Sequence, residues 1–319
     1  MSFSKAPPFD PALDAFLASS PKDSSPYDHA RVLEGRKAIA PICNSAAVFT
    51  DSEIIHEEVT IPGPGGEISL TILRPVRAAG GLRPVFYSIH GGALVLGNRY
   101  FFLSKTFPIA KELDAVVISV EYRLAPEFPA PAQVEDCYTG LEWIFQNASK
   151  LGINPERIIV GGSSAGGGLA AGVALLTRDK KGPPIFALKL TYPMLDDRCT
   201  STSMKQYDSD GWYIGAQNIA CWNMVLAGTR GSEKVSMYVA PSRAEDLSGL
   251  PPSFISVGAG DPFRDEDVAF ASKLWECGVN AELHVWPGAW HGFDVLVPTA
   301  EVSIAAVKTE MEWLKRILK

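Results

Sequence analysis

The feature that most constrains this chain is the stretch Ile158-Ile159-Val160-Gly161-Gly162-Ser163-Ser164-Ala165-Gly166-Gly167-Gly168-Leu169. Three β-branched apolar residues run into small ones, and a helix-forming run, Ala170 to Leu176, follows. The pattern predicts a buried strand, a tight turn and a helix. Within the turn lies Gly162-x-Ser164-x-Gly166, the pattern of a nucleophile elbow, where a serine on a strained backbone position thrusts its hydroxyl outward. Glycines flank the serine because a β-carbon at either position would collide with the neighbouring strand or helix. The helix aims its first N–H groups at the same spot, which favours a developing negative charge. Taken alone the motif also suits a glycine-rich turn in an α/β sheet. A phosphate loop would need GxxxxGK[ST], and no lysine follows here.

The surrounding rhythm supports the strand-turn-helix reading. Val85 to Ile89, Ala115 to Val120, Arg157 to Val160, Phe186 to Tyr192, Ser253 to Val257 and Ala281 to Val285 are short apolar runs that predict strands. Helical patterns fall between them at Phe107–Leu113 and Val134–Asn147, and the chain closes with a helix from about Thr299 to Leu318. This alternation predicts an α/β fold with a mostly parallel sheet covered on both faces. His56–Ile61 and Glu67–Leu73 alternate around Pro62-Gly63-Pro64-Gly65-Gly66 and predict an antiparallel hairpin, which makes the sheet mixed. Two blocks break the rhythm. Residues 1–50 carry helical patches without strand pattern, and residues 196–247 hold Trp212, Tyr213, Trp222, Met224 and Met237 among polar residues. They are expected to form an N-terminal cap segment and an inserted helical cap on a core made of 51–195 and 248–319.

Size and composition narrow the class. A chain of 319 residues can bury a large core, and the net charge of −7 without a Lys/Arg cluster argues against nucleic acid as a partner. The start, Met1 to Pro8, lacks the apolar core of a signal peptide, and no apolar run approaches membrane-spanning length. Five scattered cysteines, Cys43, Cys137, Cys199, Cys221 and Cys277, show no metal-ligand spacing, and their odd number suggests reduced thiols in a reducing, cytoplasmic setting. Asn147-Ala148-Ser149 is a chance sequon in that setting.

An acyl-transfer serine needs a base, a group that orients the base, and donors for the oxyanion. On this architecture the order should be serine, carboxylate, histidine, each at the carboxyl end of a later strand. Asp261 follows the strand Phe254–Val257, and His291 follows the strand Leu283–Trp286. Of the five histidines, His284 alternates within a strand, His29 and His56 precede the sheet, and His90 is expected to hold its own loop by hydrogen bonds. Asp265 and Asp267 compete with Asp261, but they fall where a helix should start, so capping or dipole roles suit them better. The oxyanion donors should be the backbone N–H groups of Ala165, directly after the serine, and of Gly91 and Gly92 after the Val85–Ile89 strand. Leu94, Trp212, Tyr213 and Phe293 are candidates for the substrate pocket. Trp212 suits the core of the cap equally well. No metal or organic cofactor is required by this chemistry. The expected partner is a small-molecule ester, and nothing in the pattern speaks against a homodimer.

Taken together, His90-Gly91-Gly92, Glu121-Tyr122-Arg123-Leu124-Ala125-Pro126-Glu127, Gly162-Ser163-Ser164-Ala165-Gly166-Gly167, Asp261-Pro262-Phe263-Arg264-Asp265 and His291-Gly292-Phe293 resemble the motifs of the hormone-sensitive-lipase-like carboxylesterases. The resemblance covers nearly the whole chain, down to Phe9-Asp10-Pro11-Ala12-Leu13 at the start of the cap segment. It implies an α/β-hydrolase fold with a helical cap, hydrolysis of short- to medium-chain acyl esters, Ser164, Asp261 and His291 as triad, and Gly91, Gly92 and Ala165 as oxyanion donors. A lactone hydrolase, deacetylase or acyltransferase acting on a natural product would keep the same triad. The gibberellin receptors of plants resemble this family but lack the catalytic histidine, a position that His291 fills here.

Two residues depart from the family pattern. Ser163 stands where Asp or Thr is common, and Ala93 stands where a third glycine usually follows His-Gly-Gly. The latter change keeps a backbone N–H but adds a methyl group on the alcohol side. Esters of tertiary alcohols should therefore turn over far more slowly than those of primary ones. Comparable rates for a tert-butyl and an n-butyl ester would refute this.

Overall fold

The computed structural model describes residues 5–20, 25–77 and 80–319, so Met1 to Ser4, within the start read for a signal peptide, lie outside the described residues. The strands are β1 (Ile54–Gly63), β2 (Gly66–Pro75), β3 (Arg83–Ile89), β4 (Val116–Val120), β5 (Ile153–Ser163), β6 (Ala187–Thr191), β7 (Ser253–Gly258) and β8 (Ala281–Trp286). They make one sheet in the order β1-β2-β4-β3-β5-β6-β7-β8. The first two strands form the expected hairpin, with Gly63 opposite Gly66, and β2 also runs antiparallel to β4. Every other pairing is parallel. The inner strands β4, β6 and β7 are buried on both faces; β4 accordingly reads as a nearly continuous apolar run, while in β6 Lys189 and Thr191 are bonded to each other and to Glu310.

Helices α1 (Pro11–Ser19), α2 (His29–Ile39) and α3 (Ser45–Val48) precede the sheet. Asp10, Asp28 and Asn44 start them by accepting backbone N–H groups of the first turn. α4 (Phe107–Leu113) joins β3 to β4, and α5 (Ala132–Gln146) with α6 (Ala148–Leu151) leads to β5. α5 turns Val134, Cys137, Tyr138, Leu141 and Ile144 inward at helical spacing. α7 (Ala165–Lys180) follows β5 directly. Between β6 and β7, residues 196–247 hold no strand. Their regular elements are α8 (Thr202–Gln206), α9 (Gly215–Val225) and a 3₁₀ turn at Pro241–Arg243, joined by turns. α10 (Arg264–Glu276) links β7 to β8, and α11 (Phe293–Leu296) and α12 (Glu301–Ile317) end the chain. Among the described residues no helix is long and apolar enough to cross a membrane.

Among the described residues, three apolar clusters fill the interior. The largest joins the sheet to α5, α7 and the 196–247 segment, and a second joins the opposite face to α4 and α12 through residues such as Phe254 and Trp313. The third seats Leu13 and Leu17 of α1 against Trp290 and Phe293, next to the loop that carries His291. The segment 196–247 is fixed by buried charge. Asp197 is fully buried, receives the Arg243 guanidinium (2.5 and 3.0 Å) and the Gly231 N–H (2.7 Å), and so has donors on both oxygens.

The glycines of α7 set how closely this central helix packs. A β-carbon on Gly168 would strike the backbone carbonyl of Met194, and one on Gly172 would strike that of Tyr238. Alanine gains about 1 kcal/mol over glycine in helix propensity. Overpacking costs about 1–3 kcal/mol, and here the obstacle is backbone, which cannot turn aside. G168A should therefore unfold at lower urea concentration than the parent. An unchanged or higher midpoint would show that α7 moves off the sheet at no cost.

Candidate active site

Ser164 sits between β5 and α7 with φ 59° and ψ −125°. Such a conformation is costly for a residue with a side chain and persists only where the surroundings hold it. They do so through backbone alone. The Ser164 N–H donates to the Thr191 carbonyl (2.9 Å), and the Ser164 carbonyl accepts from Gly168 (3.1 Å) and Met194 (3.0 Å). A β-carbon on Gly162 would lie 2.5 Å from the Ile89 carbonyl oxygen, and one on Gly166 would strike the same oxygen. The glycine spacing thus lets the elbow rest on the last residue of β3. Because β3 leads straight into His90-Gly91-Gly92, this contact also fixes the next loop beside the serine. A β-carbon on Gly91 would come 3.4 Å from that of Ser164.

The chain folds Gly91 and Gly92 into a tight turn. Gly92 has φ +113°, and its carbonyl accepts from Val95 and Leu96. The N–H groups of Gly91, Gly92 and Ala165 have no acceptor among the described residues. His90 is buried, stacks on Tyr122 (4.0 Å between centroids) and reaches the Gly91 carbonyl through Nδ1 (2.8 Å). The Tyr122 hydroxyl donates in turn to the His90 carbonyl (2.8 Å). Burial holds the His90 imidazole below its ordinary pKa, against the opposing pull of Glu121. The residue is thus a neutral wedge under the loop.

His291 and Asp261 leave the ends of β8 and β7. The two loops are woven together: Ala259 N–H donates to the Trp286 carbonyl (2.7 Å) and Gly260 N–H to the Ala289 carbonyl (2.8 Å). His291 Nδ1 stands 2.8 Å from Asp261 Oδ2, and Nε2 stands 2.9 Å from Ser164 Oγ. With the carboxylate ionised, Nδ1–H donates to it and Nε2 is left to accept the serine proton. The second Asp261 oxygen accepts the Phe263 N–H (2.9 Å), and the carboxylate is fully buried. Its competitors lie in the first turn of α10. Asp265 pairs with Arg264 (2.8 Å) and accepts the Ser203 N–H (2.7 Å). Asp267 is buried with neither oxygen partnered, and burial beside Glu266 and Asp261 pushes its carboxyl well above the usual range.

The four pocket candidates part company. Tyr213 lies over His291, with ring centroids 5.2 Å apart. Trp212 is 43% exposed and packs on Phe16 (5.6 Å) and Trp290 (6.3 Å) at the edge of α1. Leu94 is buried in the main core with φ 65°. Phe293 is buried in the cluster under α1, so its ring supports the His291 loop from beneath.

Other residues of the site carry no signal in the sequence pattern. Arg36 on α2 donates to the Val95 (2.8 Å) and Ala125 (2.8 Å) carbonyls and pairs with both Glu127 oxygens (2.9 Å each), which pins the far end of the Gly91–Gly92 loop. Glu266 accepts the N–H groups of Leu195 (2.8 Å) and Asp196 (3.2 Å) and ties the 196–247 segment to α10. Tyr192 has φ 37°, donates its hydroxyl to half-buried Asp294 (2.8 Å) and sets its ring 4.7 Å from that of His291.

Comparison with known proteins bears on this geometry. Residues 86–295 match the family model described as the alpha/beta hydrolase fold. The chain is 33% identical to the carboxylesterase NlhH of Mycobacterium tuberculosis over 314 residues, 92% of each protein. It is 37% identical to the carboxylic ester hydrolase LipN of the same organism over 247 residues, 75% of this chain and 65% of that protein. The solved structure of a bacterial heroin esterase superposes with a TM-score of 0.90 at 36% identity, over 98% of both chains. The chain belongs to the alpha/beta hydrolase family, in its hormone-sensitive-lipase-like branch.

Proposed function

We propose that this carboxylic ester hydrolase works through an acyl intermediate on Ser164, with His291 as the base, Asp261 as its partner, and short- to medium-chain acyl esters of small alcohols as substrates. The observation that carries the reading is the unbroken chain Asp261–His291–Ser164, at 2.8 and 2.9 Å, beside three backbone N–H groups with no acceptor among the described residues. The family and the esterase names of its relatives support the reaction class.

In this mechanism Ser164 Oγ attacks the ester carbonyl carbon while its proton passes to His291 Nε2. The tetrahedral oxyanion takes hydrogen bonds from the N–H groups of Gly91, Gly92 and Ala165, aided by the N-terminal end of α7. Asp261 holds the imidazole tautomer and balances the imidazolium charge. As the C–O bond breaks, Nε2–H protonates the departing alcohol. Water then attacks the acyl-enzyme with the same base, and collapse of the second tetrahedral intermediate releases the acid and restores the Ser164 hydroxyl. The helices α1 to α3 and the segment 196–247 act as the cap over this site, gating access and excluding water.

Incubation with p-nitrophenyl butyrate should release nitrophenol, and a serine-directed phosphonate should abolish the activity by labelling Ser164. S164A should lose kcat by on the order of 10⁴-fold or more while remaining folded. An S164A protein as fast as its parent would sink the mechanism, and ligand binding without turnover of any ester would favour a binding protein. Across esters from acetate to palmitate, with a few lactones, rates should be highest at the short end and fall away toward palmitate. A clear preference for a lactone would move the assignment to the specialised hydrolases.

A further inference from the structure

The imidazole of His291 is enclosed by three aromatic rings from three separate segments. Tyr192, from the end of β6, stands 4.7 Å away at 63°. Phe263, from the loop after β7, stands 4.9 Å away at 84°. Tyr213, from the 196–247 segment, stands 5.2 Å away at 39°. Each is anchored independently. Tyr192 donates its hydroxyl to half-buried Asp294. Phe263 is fully buried, and its N–H binds Asp261. Tyr213 donates its hydroxyl to buried Asn218 (3.3 Å) and packs edge-on against Phe263 (5.9 Å). Its segment is fastened to the catalytic loops nearby: Ser203 Oγ donates to the Pro262 carbonyl (2.8 Å), and Arg264 donates to Gln206 (3.0 Å).

We propose that these rings form a box that fixes the plane of the catalytic imidazole, and that Tyr213 is a positioning residue supplied by the cap. The inference rests on the triad reading above. His291 must keep Nδ1 on Asp261 while Nε2 receives a proton from Ser164 and delivers it to the alcohol. Rotation of the ring about its bond to the β-carbon breaks both contacts. Rings about 5 Å away on several sides leave no room for that rotation, and all three lie within the roughly 6 Å over which an aromatic ring interacts with a cation. Tyr213 differs from the other two because it does not belong to the hydrolase core. The base is therefore fully confined only while the 196–247 segment is packed over it. A ring that merely lined the acyl pocket would instead select among substrates by their length.

The test compares Y213L and Y213F with the parent on p-nitrophenyl acetate, butyrate and octanoate. Y213L should lose about three- to tenfold in kcat, by a similar factor for every ester, with KM within about twofold. The rate of phosphonylation of Ser164 at saturating phosphonate should fall by the same factor. Y213F keeps the ring and should retain most of the kcat. Y213M fills a similar volume without a ring and carries the test if Y213L fails to fold. A full parental kcat in the folded ringless variant overturns the proposal, as does an effect confined to KM or to one chain length, since either makes Tyr213 a pocket wall or a bystander. S164A keeps the two readings apart. If S164A is inactive while Y213L behaves as the parent, the triad stands and the box falls.

Discussion

The carbonyl oxygen of Ile89 touches the backbone of Gly162 and Gly166, and the rest of the site depends on that approach. It sets the distance between β3 and the turn after β5. It thereby sets the distance between the serine hydroxyl and the N–H groups of the loop that β3 feeds. No side chain intervenes, so the spacing is fixed by covalent geometry and by the close packing of α7 on the sheet. The left-handed conformation of Ser164 is tolerable because its N–H and carbonyl are tied to Thr191, Gly168 and Met194.

The histidine and aspartate are set by a different device. Their loops are laced to each other through Ala259, Gly260, Trp286 and Ala289, and the outer side is closed by the chain's own beginning. The Asp10 N–H donates to the Gly288 carbonyl (3.0 Å), and Trp290 Nε1 donates to the Leu13 carbonyl (3.3 Å). α1 is thus part of the wall that supports His291, although more than 270 residues separate them in sequence. Arg36 extends the same principle to the Gly91–Gly92 loop. The amino-terminal helices brace both the His291 loop and the Gly91–Gly92 loop.

What could be read from the sequence divides along physical lines. The sheet, its mixed hairpin edge and the elbow were legible because each depends on local pattern: buried runs, alternation, and glycine where no β-carbon fits. The chain Ser164, Asp261, His291 could be nominated because loops at strand ends must converge on one edge of a parallel sheet. Arg36, Glu266 and Tyr192 were not legible, since their partners are backbone groups and rings brought near only by folding. Phe293 shows the limit of proximity in sequence. It lies two residues from His291, but Gly292 at φ 81° turns the chain, and the ring goes into the cluster beneath α1. Residues 196–247 gave no clear period because turns, two short helices and the buried Asp197–Arg243 pair organise them rather than one amphipathic face.

The backbone lacing of the loops that carry Asp261 and His291 has a consequence for how such a protein can be remodelled. Contacts between main-chain atoms are blind to side-chain identity except at the few glycines that permit them. Libraries that spare those glycines can vary the surrounding side chains widely without moving Ser164, Asp261 or His291. Altering the chemistry itself would mean moving main chain, which point substitutions do poorly. A protein built this way should gain new substrates far more readily than new reactions.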